Sequence, residues 1–141
     1  MNMALKTSPA AAGTAPPGEY MNAAQRAYFR QKLLDWRSSI LNDAQSTIDG
    51  LRDQRHFEVG DEGDRATRES TQTLELRARD RQRKLLRKIG QALQRISNGE
   101  YGYCEETGEP IGIARLEARP TATLCVAAQE AYERREKHRR G

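Results

Sequence analysis

The chain has 141 residues, of which 36% are hydrophobic and 31% are charged. One domain fits this length, but so polar a chain cannot build a thick globular core, which favours an elongated helical protein. The formal net charge of +4 hides an asymmetry, because basic residues crowd the second half and the C-terminus while acidic residues lie near the middle. This asymmetry is compatible with an acidic or phosphate-bearing partner.

No stretch of the chain approaches the roughly 18 apolar residues of a membrane span, and no basic leader precedes an apolar segment. We therefore expect a cytoplasmic protein with no membrane association. In that compartment its two cysteines, Cys104 and Cys125, are expected to be reduced.

The N-terminal segment, residues 1–18, contains Pro9, Pro16 and Pro17 and lacks apolar periodicity. Such a segment cannot bury enough surface to offset the entropy of ordering, so it is predicted to be a disordered tail. Asn22 and Gln25 then have the spacing of a capping box, which predicts that a helix begins there.

The helix after Asn22 has apolar residues at the spacing of a single narrow face, which predicts a coiled-coil seam. Gly50 should loosen this helix, which we expect to end between Arg55 and Val59. The seam consists of Phe29, Leu33, Trp36, Ile40, Ala44, Thr47 and Leu51.

A second long helix is predicted from a cap at Asp64 to Asn98, with Gly99 supplying the left-handed conformation at its end. Its seam consists of Leu74, Ala78, Leu85, Ile89, Ala92 and Ile96. Two narrow seams joined by a short acidic turn, at about residues 56–64, predict a long antiparallel coiled-coil hairpin over residues 19–99.

The remaining segment, residues 100–141, is predicted to form a small globular module and a C-terminal helix. Pro110 and the alternation of Ile111 and Ile113 favour turns and a small β-hairpin. The last helix is expected from about Leu124 to Arg139. The predicted fold is therefore mainly α.

A basic stripe lies beside the second seam, and between Arg77 and Arg95 there are eight basic residues and one acid. Two interpretations stay open. The stripe is either a solvated face whose arginine stems cover the seam, or a docking surface for acidic side chains or phosphates. Its residues, at helical spacing, are Arg77, Arg81, Lys84 and Lys88.

Two motifs in the small module are specific: YGYCEETG from Tyr101 to Gly108, and IGIARLEARPT from Ile111 to Thr121. Together they closely resemble the DksA/TraR family of bacterial transcription regulators, and the resemblance extends from Glu19 to the C-terminal helix. It implies a protein that binds RNA polymerase, inserts its hairpin into the secondary channel and alters initiation without being an enzyme.

The resemblance also implies how such a regulator works. Family members act with the alarmone ppGpp in the stringent response, commonly without sequence-specific DNA binding, and we expect a monomer. Their acidic tip lies near the polymerase active site and follows the pattern Asp-x-x-Asp-x-Ala, which Asp61, Asp64 and Ala66 match here. Polymerase docking is implied for Arg81 and Lys84, and the basic stripe adds Arg77.

The resemblance places an effector site where the second arm meets the small module, and there ppGpp would bind at the polymerase interface. Lys88 and Arg119 retain charges suited to phosphate. Gln129 stands where better-known members have a lysine, which predicts weaker nucleotide affinity. The four corresponding residues are Leu85, Lys88, Arg119 and Gln129.

The common form of the family binds zinc through the pattern C-x2-C-x17-C-x2-C, which supplies four thiolates. Here the four positions hold Cys104, Thr107, Cys125 and Ala128. Substitute ligands would have to come from residues such as Glu105, Glu106 or His138. We therefore expect no bound zinc and no permanent cofactor, and the two cysteines to be either a buried thiol pair or a redox-responsive disulfide.

Three other functions remain as alternatives. A transcript-cleavage factor also brings acids on a hairpin tip to the polymerase, where they hold a catalytic magnesium, but the pattern Asp-x-x-Asp-x-Ala favours the regulator. A DNA-binding finger protein could use the basic C-terminus. A purely structural coiled coil would bind no polymerase at all.

Overall fold

The structure, a computed structural model, describes residues 14–57 and 62–140, and its description of side chains omits residues 47, 48, 51–57 and 62–64. The described ranges form four helices and one isolated antiparallel bridge, between Tyr103 and Pro110. This confirms the prediction of a mainly α fold. The helices are α1 (Ala23–Phe57), α2 (Glu62–Asn98), α3 (Ile113–Ala118) and α4 (Val126–Arg140).

The chain divides into two compact units, one formed by Met1–Leu33 with Gln91–Gly141 and the other by Leu34–Gly90. The second unit contains most of α1 and the first part of α2, and because only four residues separate these helices they pack as an antiparallel hairpin. Ile40 and Ile89 are buried within it, and Ala44, Ala78 and Leu85 are half-buried. The hairpin prediction is therefore confirmed.

Leu74 departs from the predicted seam, because 63% of it is exposed. The seam of α1 narrows from Phe29 and Leu33 to Ala44 as the helix approaches the turn. Thr47 and Leu51 lie outside the described side chains.

The start of α1 and the end of α2 both show the capping contacts that their residues predict. The Asn22 side chain accepts a hydrogen bond of 2.8 Å from the Gln25 N–H, and the Gln25 side chain accepts one of 2.6 Å from the Met21 N–H. At the other end, Gly99 has φ 79°, and the Glu100 and Gly99 N–H groups donate to the carbonyls of Arg95 and Ile96. These bonds form a Schellman motif, as the sequence predicted.

The helix boundaries at the turn partly differ from expectation. Helix α1 ends at Phe57, inside the predicted interval, but α2 begins at Glu62 and makes Asp64 its third residue. The prediction that Asp64 is the N-cap was therefore wrong. A carboxylate in the first helical turn still lies close to the positive end of the helix dipole.

The described part of the first unit starts with residues 14–22, here called the strap, which precede α1. Ala15 and Met21 in the strap are buried, and the Gln25 amide donates a hydrogen bond of 2.9 Å to the carbonyl of Pro16. Residues 14–18, which were predicted to belong to the disordered tail, therefore include residues that make contacts. Residues 1–13 lie outside the described residues. The core beneath the strap includes Phe29, Leu33, Tyr101, Ile111 and Leu116.

The segment from Tyr101 forms turns, as predicted, but one antiparallel bridge between Tyr103 and Pro110 stands in place of a β-hairpin, and α3 begins at Ile113. An alternation of two apolar residues is too short to specify a strand. Gly112, with φ 105°, redirects the chain into the helix. Helix α4 begins at Val126, two residues after the predicted start.

Candidate functional site

The predicted acidic tip lies mostly outside the described residues. Asp61 falls in the undescribed segment, and the Asp64 side chain is likewise undescribed, although its backbone belongs to the first turn of α2. Ala66 is exposed on α2. An open groove of about 570 Å³ runs along α2 from Ala66 to Arg77 and includes the exposed Leu74. The predicted tip residue Ala66 and the predicted docking residue Arg77 thus line one surface.

The basic stripe is fully solvent-exposed, since Arg77, Arg81, Lys84 and Lys88 all lie on the outside of α2. Asp80 is the acid on this part of the helix, and it contacts Lys84 at 3.3 Å and Arg83 at 3.8 Å. Among the side chains that the structure describes, the other three stripe residues have no acidic partner. The stripe therefore presents positive charge that its own helix compensates only at Lys84.

The four predicted effector residues belong to two different units. Leu85 is half-buried and Lys88 exposed, both on α2 in the second unit. In the first unit Arg119 is exposed at the end of α3, and its N–H donates to the Arg115 carbonyl at 2.8 Å. Gln129 is half-buried in the first turn of α4, where its amide donates a hydrogen bond of 3.0 Å to Glu133.

Three of the four positions that match the zinc-binding pattern are buried: Cys104, Cys125 and Ala128. Thr107 lies on the outside, but its hydroxyl reaches the sulfur of Cys125 at 3.9 Å and hydrogen-bonds the sulfur of Cys104. The Glu109 N–H also donates to this hydroxyl at 3.2 Å. The fold thus brings the two predicted cysteines together, with Thr107 between them.

The Cys104 thiol is polarised by this arrangement. Burial raises its pKa, but hydrogen bonds from the Thr107 hydroxyl and from the N–H groups of Cys125, Thr107 and Glu106 outweigh burial and lower the pKa from 9.0 to about 6. Both cysteines are free thiols in the structure. This agrees with the thiol-pair interpretation and leaves the redox interpretation a prediction.

The donor set does not fit a zinc ion. A structural zinc site needs four ligands, usually thiolates and imidazoles, but Ala128 offers none and the Thr107 hydroxyl is already hydrogen-bonded. Within residues 14–57 and 62–140, no three His, Cys, Asp or Glu side chains converge on one point. Of the possible substitutes, Glu105 faces Arg95 at 3.4 Å and His138 is exposed near the end of α4.

Four side chains that the sequence did not single out hold the backbone of the module. The Arg95 guanidinium donates to the carbonyls of Glu100 at 3.1 Å and Tyr103 at 2.8 Å. The Tyr20 hydroxyl donates to the Gly102 carbonyl at 2.6 Å and accepts from the Gly112 N–H at 2.9 Å. Tyr101 and Arg115 make the equivalent bonds to the carbonyls of Pro120 and Leu124.

Glu117 anchors α3 to α1. Its Oε1 accepts hydrogen bonds of 2.7 Å from both Tyr28 and Lys32. Burial raises the pKa of the Glu117 carboxyl, but these two bonds, the Lys32 charge and the Ala15 N–H outweigh it, so the pKa lies below its ordinary value. The pKa of Tyr28 rises to about 12 through burial and through its bond to Glu117.

Helices α1 to α4 show no segment with the length and apolar character that a membrane crossing requires, within the described residues.

Comparison with known families identifies two matches. Residues 25–96 match the model of the N-terminal domain of the DnaK suppressor protein DksA. Residues 99–134 match the prokaryotic dksA/traR C4-type zinc finger.

Individual relatives agree with these matches. The chain is 57% identical over 118 residues to the RNA polymerase-binding transcription factor DksA of Caulobacter vibrioides, covering 84% of this chain and 82% of the relative. It is 44% identical over 126 residues to the Escherichia coli K12 protein of that description, covering 89% and 83%. The structure of transcription factor DksA2 from Pseudomonas aeruginosa superposes with a TM-score of 0.81 at 43% identity, over 93% of this chain and all of that one. The chain belongs to the DksA/TraR family.

Proposed function

We propose that this protein is a non-enzymatic regulator that binds bacterial RNA polymerase in the cytoplasm and modulates transcription initiation through the secondary channel. The observation that carries the proposal is the similarity to relatives described as RNA polymerase-binding transcription factors, at 57% and 44% identity. The exposed and largely uncompensated basic stripe supports it independently, because it can pair with acidic side chains on a protein partner.

In this proposal the basic stripe docks the hairpin on the polymerase, and the acidic tip alters initiation. Arg77, Arg81 and Lys84 pair with acidic groups of the polymerase, which orients the hairpin. The carboxylates of Asp61 and Asp64 then act near the polymerase active site, where added negative charge alters the stability of the initiation complex. The protein binds as a monomer and reads no DNA sequence.

The proposal also assigns ppGpp to the interface with the polymerase, where Leu85, Lys88, Arg119 and Gln129 face the nucleotide. Lys88 and Arg119 are both exposed and can contact phosphates. The Gln129 amide is neutral and is bound to the acidic Glu133, which disfavours a polyphosphate. We therefore expect a weaker response to ppGpp than a lysine at position 129 would give, and Gln129→Lys should strengthen it.

Docking is tested by a pair of arginine substitutions on α2. Arg81→Ala should weaken binding to RNA polymerase roughly 5- to 30-fold, because a charge pair at an interface contributes on the order of 1–2 kcal/mol. Arg83→Ala is the matched control, since Arg83 is as exposed but points to a different side of the helix. Equal losses in both variants would show that only net charge matters and would count against a specific docking stripe.

The role of the tip is tested by Asp64→Asn and Asp64→Ser in a purified initiation assay. Both variants should bind polymerase like the wild type and lose control of promoter output. A hydroxyl at this position suits the first turn of a helix, so a purely structural role would leave the Asp64→Ser protein active. A stalled elongation complex incubated with the wild-type protein should yield no shortened transcripts, and their appearance would favour the cleavage-factor alternative.

A further inference from the structure

The zinc-finger-like module of this chain presents a contradiction between its family and its residues. Residues 99–134 match a family model of C4-type zinc fingers, yet only two of the four ligand positions carry a thiol. We propose that this module is closed without a metal ion, by a Cys125–Thr107–Cys104 hydrogen-bond chain and by side chains that clamp its backbone carbonyls.

The hydrogen-bond chain follows from the capacity of one hydroxyl group. Thr107 has one hydrogen to donate and two lone pairs to accept with. It donates to the Cys104 sulfur and accepts from the Glu109 N–H. Its contact with the Cys125 sulfur, at 3.9 Å, can have either atom as the donor. The hydroxyl thus links three neighbours within the module.

The sulfur of Cys104 accepts several hydrogen bonds. Besides the Thr107 hydroxyl, it accepts from the backbone N–H groups of Glu106, Thr107 and Cys125. These bonds join the turn after Cys104 to the residue that precedes α4. In a zinc site the metal makes that connection. Here N–H and O–H donors make it directly.

The fourth position contributes packing alone. Ala128 is buried in the first turn of α4, two residues after Val126. Its methyl group offers no donor atom. The position is therefore apolar, and its burial stabilises the module through the hydrophobic effect.

Two side chains, Tyr20 and Arg95, further restrain the backbone of the module. Tyr20 from the strap and Arg95 from α2 together bind the carbonyls of Gly102, Glu100 and Tyr103, which precede Cys104 in sequence. Both side chains approach from outside the segment between the four ligand positions. The backbone that leads into the loop is thus held from two neighbouring elements, the strap and α2.

The test compares metal content and thermal stability of the full-length protein and its variants, all purified after growth with added zinc. The wild type should contain far less than one zinc per chain, and a chelator should leave its melting temperature unchanged. Thr107→Val, which keeps the shape and removes the hydroxyl, should melt about 3–5 °C lower because it loses roughly 1 kcal/mol of hydrogen bonding. Thr107→Ser keeps the hydroxyl and is the matched control.

A second variant tests the proposal in the opposite direction, by restoring the two missing thiols. Thr107→Cys combined with Ala128→Cys restores four thiols at the C-x2-C spacings, so the folded double variant should bind one zinc per chain and melt at a lower temperature after chelation. Ala128→Cys alone provides three thiols and serves as its control. Stoichiometric zinc in the wild type, with a melting temperature that falls on chelation, would overturn the proposal. So would a folded double variant that takes up no zinc, or a Thr107→Val protein as stable as the wild type.

Discussion

Lys32 and Glu117 meet at 2.7 Å between Nζ and Oε1, although 85 residues separate them in the chain. Their side chains are 22% and 17% exposed, so solvent screens this pair less than it screens the pairs on the helix surfaces. The same carboxylate accepts the Tyr28 hydroxyl. One acid on α3 therefore fixes two successive turns of α1.

Replacing Lys32 should lower the stability of the folded protein. Lys32→Met is expected to lower the free energy of unfolding by about 1–2 kcal/mol, because Glu117 stays partly buried and loses a charged donor. Urea denaturation followed by circular dichroism measures the change. Arg83→Met is the matched control, because the Arg83–Asp80 contact is 3.8 Å and the arginine is 69% exposed. Its effect should stay below about 0.5 kcal/mol.

Glu117 should also make stability depend on pH. Its pKa in the folded protein lies below the ordinary value of 4.5, so as pH falls the unfolded chain takes up a proton before the folded protein does. The stabilising contribution of the carboxylate is complete above the unfolded pKa and disappears as pH falls through the folded pKa. The difference in unfolding free energy between wild type and Glu117→Gln should therefore shrink below about pH 5. A difference that stays constant from neutral pH to pH 3 would contradict this assignment.

Two glycines should respond in opposite directions to alanine. Gly90 lies inside α2, and a Cβ there would meet nothing within 4 Å, so Gly90→Ala should stabilise the protein by about 0.5–1 kcal/mol. Gly102 has φ 94°, and a Cβ there would lie 2.8 Å from Cγ of Met21. Gly102→Ala should therefore destabilise by more than about 1 kcal/mol. Thermal melts of the two variants give the comparison directly.

Gln25 should matter more than an ordinary capping residue. It is buried, accepts from the Met21 N–H and donates to the Pro16 carbonyl. Gln25→Ala leaves both backbone groups without this partner and should cost about 1–3 kcal/mol. It should also speed hydrogen exchange of the Met21 amide. Gln25→Glu keeps the acceptor and loses the donor, so a normal exchange rate at Met21 in that variant would separate the two bonds.

Local chemistry explains which parts of the fold could be predicted from the sequence. The pairing of Asn22 with Gln25 and the glycine at position 99 act within five residues, so their geometry follows from residue type alone. The periodic apolar residues around Ile40 and Ile89 likewise predict the helical hairpin. The motif shared with the DksA/TraR family marks Cys104 and Thr107 as two of the four zinc-ligand positions of the common form, which predicts that they lie close together.

Contacts between distant residues could not be predicted in this way. Tyr20 reaches Gly102 across 82 residues and Tyr28 reaches Glu117 across 89, and no periodicity marks such partners. Leu74 shows the opposite problem, because its spacing fits the seam and yet 63% of it is exposed. The spacing of apolar residues identifies the apolar face of a helix but not which side chains cover that face.

The strap sets a lower limit on how far the protein can be shortened. A chain that began at Ala23, the first residue of α1, would keep helices α1 to α4 and still lack the Tyr20 hydroxyl that joins Gly102 to Gly112. It would also uncover the surface that Ala15 and Met21 bury. The smallest version that keeps these contacts therefore begins at or before Ala15, eight residues ahead of α1.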